Sequence, residues 1–182
     1  MKAIASVTLV VLFLTAEALL PAQAGWDPDK DKKQLKKVQE TVETFKQKDP
    51  DLKAFFDKAF GYAVFPTIAK GAIGIGGAHG KGKVFQKGAL IGSASVSQGT
   101  VGFQLGGQTY SQIIFFKDKV ALERFKTEDL KFSAQASAIA VNAGASTTAD
   151  YSNGVAVFTL AKKGFMYEAS IGGQVFKFVP TK

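Results

Sequence analysis

The sequence predicts an α+β fold: an N-terminal helical region packed on a strongly curved, mostly antiparallel β-sheet or small barrel. Three observations carry this. Residues 25 to about 60 are densely charged, with apolar positions three and four apart, the period of an amphipathic helix. From Gly61 onward Gly, Ala, Ser, Val, Ile and Phe dominate, in short apolar runs cut by Gly, Asn, Lys and Ser, which is the pattern of strands and turns. Glycines also fall inside those runs, as at Ile75-Gly76-Gly77, Leu105-Gly106-Gly107 and Ile171-Gly172-Gly173, where they permit sharp coiling and close backbone approach. Their unequal spacing is no repeat period, so a solenoid is excluded.

The first element reads as a secretory signal peptide. Met1-Lys2 is a short basic start, Ala3 to Leu20 is mostly apolar, and Ala22-Gln23-Ala24 is an A-x-A cleavage site. The apolar run from Ile4 to Ala16 is short for the ~20 residues of a spanning helix, and Glu17 follows it. Cleavage after Ala24 is therefore expected. No Cys lies there to carry a lipoprotein anchor. The expected organisation is 1–24 signal peptide, 25–60 N-terminal helical region and 61–182 β-rich domain, with 25–182 one structural unit.

Within the helical region, Asp29 or Asp31 is placed to cap a helix in which Leu35, Val38, Val42 and Phe45 share a face. Lys32, Lys33, Lys36, Lys37, Glu40 and Glu43 fall on the other side. Asp49-Pro50 breaks this helix. Asp51 is then placed to cap a second, short one with Leu52, Phe55, Phe56 and Ala59 as its apolar face.

Strands are expected at "GYAVFP", closed by Pro66, and at "GAIGIGGAHGKGKVF", where Ile73, Ile75 and Gly77 share one face. Further strands follow at "GALIGSASVSQ", "TVGFQLGGQTYSQIIFF", "FSAQASAIAVNAG", "GVAVFTLAKKG" and "FMYEASIGGQVFKFV". One helix interrupts them: Asp118 caps "KVALERFK", with Val120, Leu122 and Phe125 toward the core.

Few residues suit catalysis. The run Gly77 to Lys83 reads G-x-x-x-x-G-K, the first seven positions of a phosphate-binding loop, but Val84 stands where Ser or Thr would hold magnesium. More strand follows it instead of a helix, so these glycines are read as serving a bent strand and its turn. The chain has no Cys and a single His, His79, which rules out Cys nucleophiles, Cys–His pairs and His-rich metal sites. A Ser-His-Asp triad would need His79, and no G-x-S-x-G elbow is present. Asp150 and Glu168 are the remaining candidate carboxylate couple. No catalytic residue, metal site or cofactor is assigned.

The charge says more. At +8 the chain favours anionic partners: lipid headgroups, polyanionic glycans or nucleic acid. Nucleic acid is disfavoured, since no recognition motif or aromatic stacking platform accompanies the lysines. Lys70, Lys81, Lys83 and Lys87 are read as clustering around two strand turns, Lys162 and Lys163 as marking another, and Trp26 as a candidate interface anchor. The candidate lipid-binding residues are Lys32, Lys33, Lys36 and Lys37 on the helix and Lys70, Lys81, Lys83 and Lys87 in the turns. Which of the two sets faces lipid stays open.

Four blocks, in order, resemble a known family. "FGYAVFPTIAKGAIGIGGAHGKGKVF" resembles the start of the SYLF domain, where a G-x-x-x-F-P segment leads into a Lys-containing, Gly-rich strand. "TVGFQLGGQTYSQIIFFKDKVALERF", "AQASAIAVNAG" and "YSNGVAVFTLAKKGFMYEASIGGQVF" are similar to its later blocks, with Glu168-Ala169-Ser170 in place of the family's Ser-Leu-Glu. The resemblance spans about Phe56 to Phe178. It implies binding of anionic phospholipids, phosphoinositides in the eukaryotic relatives, helped by a basic N-terminal segment whose place is taken here by Lys32 to Lys46. The actin binding of some relatives has no support in this sequence.

The expected function is non-enzymatic, membrane-peripheral binding of anionic phospholipids in the bacterial cell envelope by an exported, periplasmic or membrane-associated protein. The alternatives are an integral outer-membrane β-barrel, whose eight strands of ~10 residues the length would allow, and a structural envelope protein binding protein or glycan partners. The sequence leaves oligomeric state and the physiological lipid open.

Overall fold

The computed structural model describes residues 28–73, 75–101, 106–127, 138–163 and 173–181. The signal-peptide reading, Trp26, Glu168 and the first six residues of "FSAQASAIAVNAG" lie outside them.

The charged N-terminal region forms helix α1 (Pro28–Lys48), a single 3-10 turn (Pro50–Leu52) and helix α2 (Lys53–Lys58). Asp29 and Asp31 sit inside the first turn of α1 and are not its cap. There they complement the positive end of the helix dipole, as Lys46 and Lys48 complement the other end. Val38 and Phe45 are buried and Val42 half-buried, as their spacing predicts. The chain breaks at Asp49-Pro50, but the capping carboxylate is Asp49, not Asp51. Asp49 is fully buried, accepts from the Asp51 backbone N–H at 3.2 Å, and reaches across to the backbone N–H of Ser146 at 2.7 Å. The cap therefore also pins the segment after β5 to the helices.

Seven strands follow: β1 (Gly61–Ile73), β2 (Ile75–Gln86), β3 (Ala89–Val101), β4 (Gly106–Phe116), β5 (Ile139–Ala140), β6 (Val155–Lys163) and β7 (Gln174–Pro180). They form one sheet in the order β5-β6-β4-β1-β2-β3-β7, antiparallel except for β5 against β6. The sheet is open, with β5 and β7 at its edges, so the small-barrel form of the expectation is not adopted. Helices cover both of its faces, which also removes the support for an integral barrel.

Two strand readings change. "GAIGIGGAHGKGKVF" is not one strand: the chain reverses between Ile73 and Ile75, which pair across the hairpin. The phosphate-loop look-alike lies wholly inside β2, flanked by antiparallel strands. "TVGFQLGGQTYSQIIFF" likewise divides into the end of β3 and the whole of β4.

Strand β1 is not closed by Pro66 but runs through it, by way of a bulge. Val64 pairs with Lys83 and Thr67 with Lys81, so Phe65 and Pro66 oppose the single residue Gly82. Proline lacks the N–H that a ladder needs, and bulges are where strands accept it. The freed Pro66 carbonyl accepts the Ser111 hydroxyl at 2.8 Å. Gly82 is required opposite, because a Cβ there would collide with the Val64 carbonyl and the Phe65 ring.

The sheet curls strongly. Phe65 on β1 reaches Phe176 on β7 at 5.8 Å between ring centroids, although β2 and β3 lie between them in the sheet. The concave face packs Phe65, Ile68, Val96, Phe116 and Phe176, and is closed by helix α3 (Lys119–Lys126) through Ala121, Leu122 and Phe125. Asp118 caps α3 as expected, accepting from Ala121 N–H at 2.9 Å, but Val120 is 68% exposed and faces away from the core. The opposite face packs α1 and α2 against Val64, Ile113, Phe115 and Phe158. Phe55 of α2 meets Phe158 edge-on at 5.0 Å and Phe115 at 5.4 Å, pairs worth about 0.5–1.5 kcal/mol each beyond area burial.

Candidate functional site

Helix α1 lies over the sheet beside the Pro66–Thr67 bulge, and a basic groove runs along that flank. It consists of two cavities with a common wall. The larger, about 540 Å³, lies between Lys37, Glu40, Thr41, Phe45 and Lys48 of the helix and Pro66, Thr67, Ser111, Leu160 and Lys162 of the sheet. The smaller, about 250 Å³, is lined by Lys30, Lys33, Gln34 and Lys37 of the helix and by Pro66, Thr67 and Lys81. Lys37, Pro66 and Thr67 belong to both.

The local structure explains the convergence. At 3.6 residues per turn, Lys30, Lys33 and Lys37 fall on one flank of α1, while Lys32 and Lys36 fall about 100° further round. On the sheet, the bulge places Thr67 opposite Lys81. Lys162, near the end of β6, stretches across β4 to the Thr67 hydroxyl at 3.3 Å. Burial, and next the ammonium of Lys37, hold Lys162 below its ordinary pKa, with Glu40 acting in the opposite sense. Lys37, Lys48 and Lys162 thus line the larger cavity with Glu40 as the one carboxylate among its lining residues.

The eight lysines named from sequence divide. Lys33, Lys37 and Lys81 enter the groove. Lys32 and Lys36 are exposed but line neither cavity. Lys70 and Lys87 do not cluster with the rest. Lys70 stands opposite Ala78 near the β1–β2 reversal, while Lys87 follows β2 at its other end, nine residues or about 30 Å away. There Lys87 borders a separate cavity of about 430 Å³ with Lys46, Phe56 and Tyr62. Lys83 is no surface residue. It is 1% exposed, with its Nζ 2.8 Å from Asp31 Oδ1 and 2.9 Å from Ser93 Oγ. The alternation of β2 turns it under α1, where it ties the first helical turn to the sheet.

Sequence reasoning missed Lys30, Thr67 and Lys162 as members of the site. The spacing of Lys30, Lys33 and Lys37 was a usable signal. Lys162 was read as a turn marker, and only the register of β6 on β4 brings it to the bulge.

His79 is exposed and meets only the Ser97 hydroxyl, at 3.4 Å, among the contacts of described residues. Asp150 is exposed and accepts from its neighbour Tyr151 N–H. Among the described residues no three His, Cys, Asp or Glu side chains gather where a metal ion could sit, and no helix is long and apolar enough to cross a membrane.

Comparison with known proteins agrees with the resemblance read from the sequence. The chain is similar to beta cell expansion factor A of Aeromonas veronii, at 29% identity over 139 residues, covering 70% of this chain and 49% of that protein. It thus spans about half the length of the curated relative it matches. Residues 97–179, from the end of β3 to β7, match the Ysc84 family model, described as Las17-binding protein actin regulator. The match lies within the C-terminal part of the span that carries the resemblance, and it includes Lys162. This is a family of lipid-binding and adaptor proteins, not a known enzyme family. Over residues 97–179 the chain thus matches the SYLF (Ysc84) family, the same family that the sequence blocks resemble.

Proposed function

We propose that this chain is a non-enzymatic, membrane-peripheral protein that binds anionic phospholipids in the cell envelope. The supporting observation is the convergence of Lys30, Lys33, Lys37, Lys81 and Lys162 on one flank of α1, around the Pro66–Thr67 bulge. Each lysine close to an anionic bilayer contributes about 1 kcal/mol, and the contribution fades beyond a Debye length. Several acting together give salt-sensitive adsorption, which is reversible without an acyl anchor. The family match over residues 97–179 is consistent with lipid binding in general. The signal-peptide reading puts the protein on the side of the membrane where an envelope role is possible. The actin-regulator role in the family's description is not carried over.

Co-sedimentation with vesicles tests this. Phosphatidylglycerol vesicles should bind the protein at low salt and release it as salt rises, while phosphatidylcholine vesicles should not bind it. Equal binding to both, or none to either at low ionic strength, overturns the reading.

A further inference from the structure

We infer that the groove holds a lipid headgroup carrying two phosphates joined by a short bridge, one phosphate in each cavity. This rests on the reading of the groove as an anionic-lipid site and deepens it. Three features of the groove point there.

The two cavities have separate cations and a shared centre. Lys162 lines only the larger and Lys81 only the smaller, while Lys37 and Thr67 border both. Lys81 on β2 and Lys162 on β6 are separated by β1 and β4, so their backbones lie about 14 Å apart. A single phosphate held by one lysine leaves the other unused. Two bridged phosphates engage both, with Lys37 between them and the Thr67 hydroxyl, which accepts from Lys162, able to donate in turn.

The larger cavity contains more positive than negative charge. Lys37, Lys48 and Lys162 line it against Glu40 alone. Burial first, and the ammonium of Lys37 next, lower the pKa of Lys162, and an anion seated there would favour its charged form.

The walls favour a lipid over a free polyanion. Half-buried Leu160 and exposed Ala161 give the larger cavity an accessible apolar wall, backed by the buried Phe45 and Pro66. That surface suits the glycerol and first methylenes of a lipid, and an inorganic anion has nothing to place on it.

The test uses the full chain. Cardiolipin vesicles are compared with phosphatidylglycerol vesicles at twice the mole fraction, so that surface phosphate is equal. Inorganic pyrophosphate is compared as competitor with inorganic phosphate at twice the concentration. The variants are Lys81→Gln and Lys162→Gln, with Lys32→Gln as control. Cardiolipin should bind about fivefold or more tighter than phosphatidylglycerol. Either groove variant should abolish that preference while retaining weakened phosphatidylglycerol binding, and the control should leave the preference intact. Preferential competition by pyrophosphate without a cardiolipin preference would retain the two-phosphate site but overturn its lipid source. Equal affinity for both lipids with no pyrophosphate preference overturns the inference while leaving anionic-membrane binding in place. No binding to any anionic vesicle overturns the membrane reading itself.

Discussion

The ammonium of Lys83, buried inside β2, is paired with Asp31 in the first turn of α1 at 2.8 Å, joining two segments 52 residues apart. The pair fixes the otherwise polar start of the helix against the sheet and so holds Lys30, Lys33 and Lys37 beside the bulge. Its two halves are unequal, since Lys83 is 1% exposed and Asp31 39%. Asp31→Asn leaves a buried cation with the Ser93 hydroxyl in place of a carboxylate. Breaking a buried pair in this way costs about 3–5 kcal/mol, and the partial exposure of Asp31 sets the expected loss at the lower end. Lys83→Met removes the charge and keeps the packing, and should cost about 1 kcal/mol or less. Urea denaturation of the two variants checks the order. A larger loss in Lys83→Met would mean that the pair is not what anchors the helix.

A second contact sets the curl of the sheet. Gln112 on β4 and Gln174 on β7 exchange side-chain hydrogen bonds at 3.0 and 3.1 Å, although three strands lie between them in the sheet order. Both side chains are fully buried. Gln174→Leu strands the polar ends of Gln112 and removes the bond donated to the Tyr110 hydroxyl. The expected loss is about 1–3 kcal/mol. The Gln112→Leu/Gln174→Leu double variant should recover part of it, because no half of the pair is left unsatisfied. Denaturant midpoints of the single and double variants measure the coupling, and strict additivity would show that the amides act independently.

Burial pushes the Tyr110 hydroxyl up to about 12, with the Gln174 hydrogen bond acting the other way. Its folded value therefore lies above the unfolded value near 10. In that window the unfolded chain has lost a proton that the folded chain keeps, so stability falls as pH rises from about 10 to 12 and is unaffected by this group below about 10. Burial raises Tyr62 and Tyr151 as well, in the same sense. Tyr110→Phe should flatten the alkaline loss by about 2–3 kcal/mol. Urea midpoints recorded between pH 9 and 12 check this, and identical slopes for variant and parent would remove Tyr110 from the account.

The sequence made the architecture legible where the pattern is periodic. The 3–4 spacing of Val38, Val42 and Phe45 gave α1, and Asp118 three residues before Ala121 gave the cap of α3. Strand ends were less legible, because they depend on partners. Pro66 looks like a stop until Gly82 opposite makes room for a bulge, and the run from Gly71 to Phe85 looks like one strand until Ile73 pairs with Ile75. The site was half legible. Charge and family resemblance pointed to lysines, and helical spacing could separate Lys33 and Lys37 from Lys32 and Lys36. Nothing local distinguishes buried Lys83 from exposed Lys81 two residues earlier on the same strand face. What separates them is that α1 and Asp31 lie over Lys83 while Lys81 opens into the groove.

That separation of helix flanks gives a sharp test of where the membrane sits. Lys33→Gln/Lys37→Gln and Lys32→Gln/Lys36→Gln each remove two positive charges from the same two turns of α1, so they lower the net charge identically. Any difference in binding must come from position. The first pair lines the groove and the second does not. If the groove meets the bilayer, the first variant loses two close contacts, about 30-fold in partitioning onto phosphatidylglycerol vesicles at low salt. The second loses only a long-range attraction that physiological salt screens, a change of about threefold or less. All four side chains are exposed, so folding stability should hold in both variants and leave binding as the readout. Equal losses in the two variants would mean diffuse adsorption with no preferred flank. A greater loss in Lys32→Gln/Lys36→Gln would place the bilayer on the opposite side of α1, toward the cleft bordered by Lys46 and Lys87.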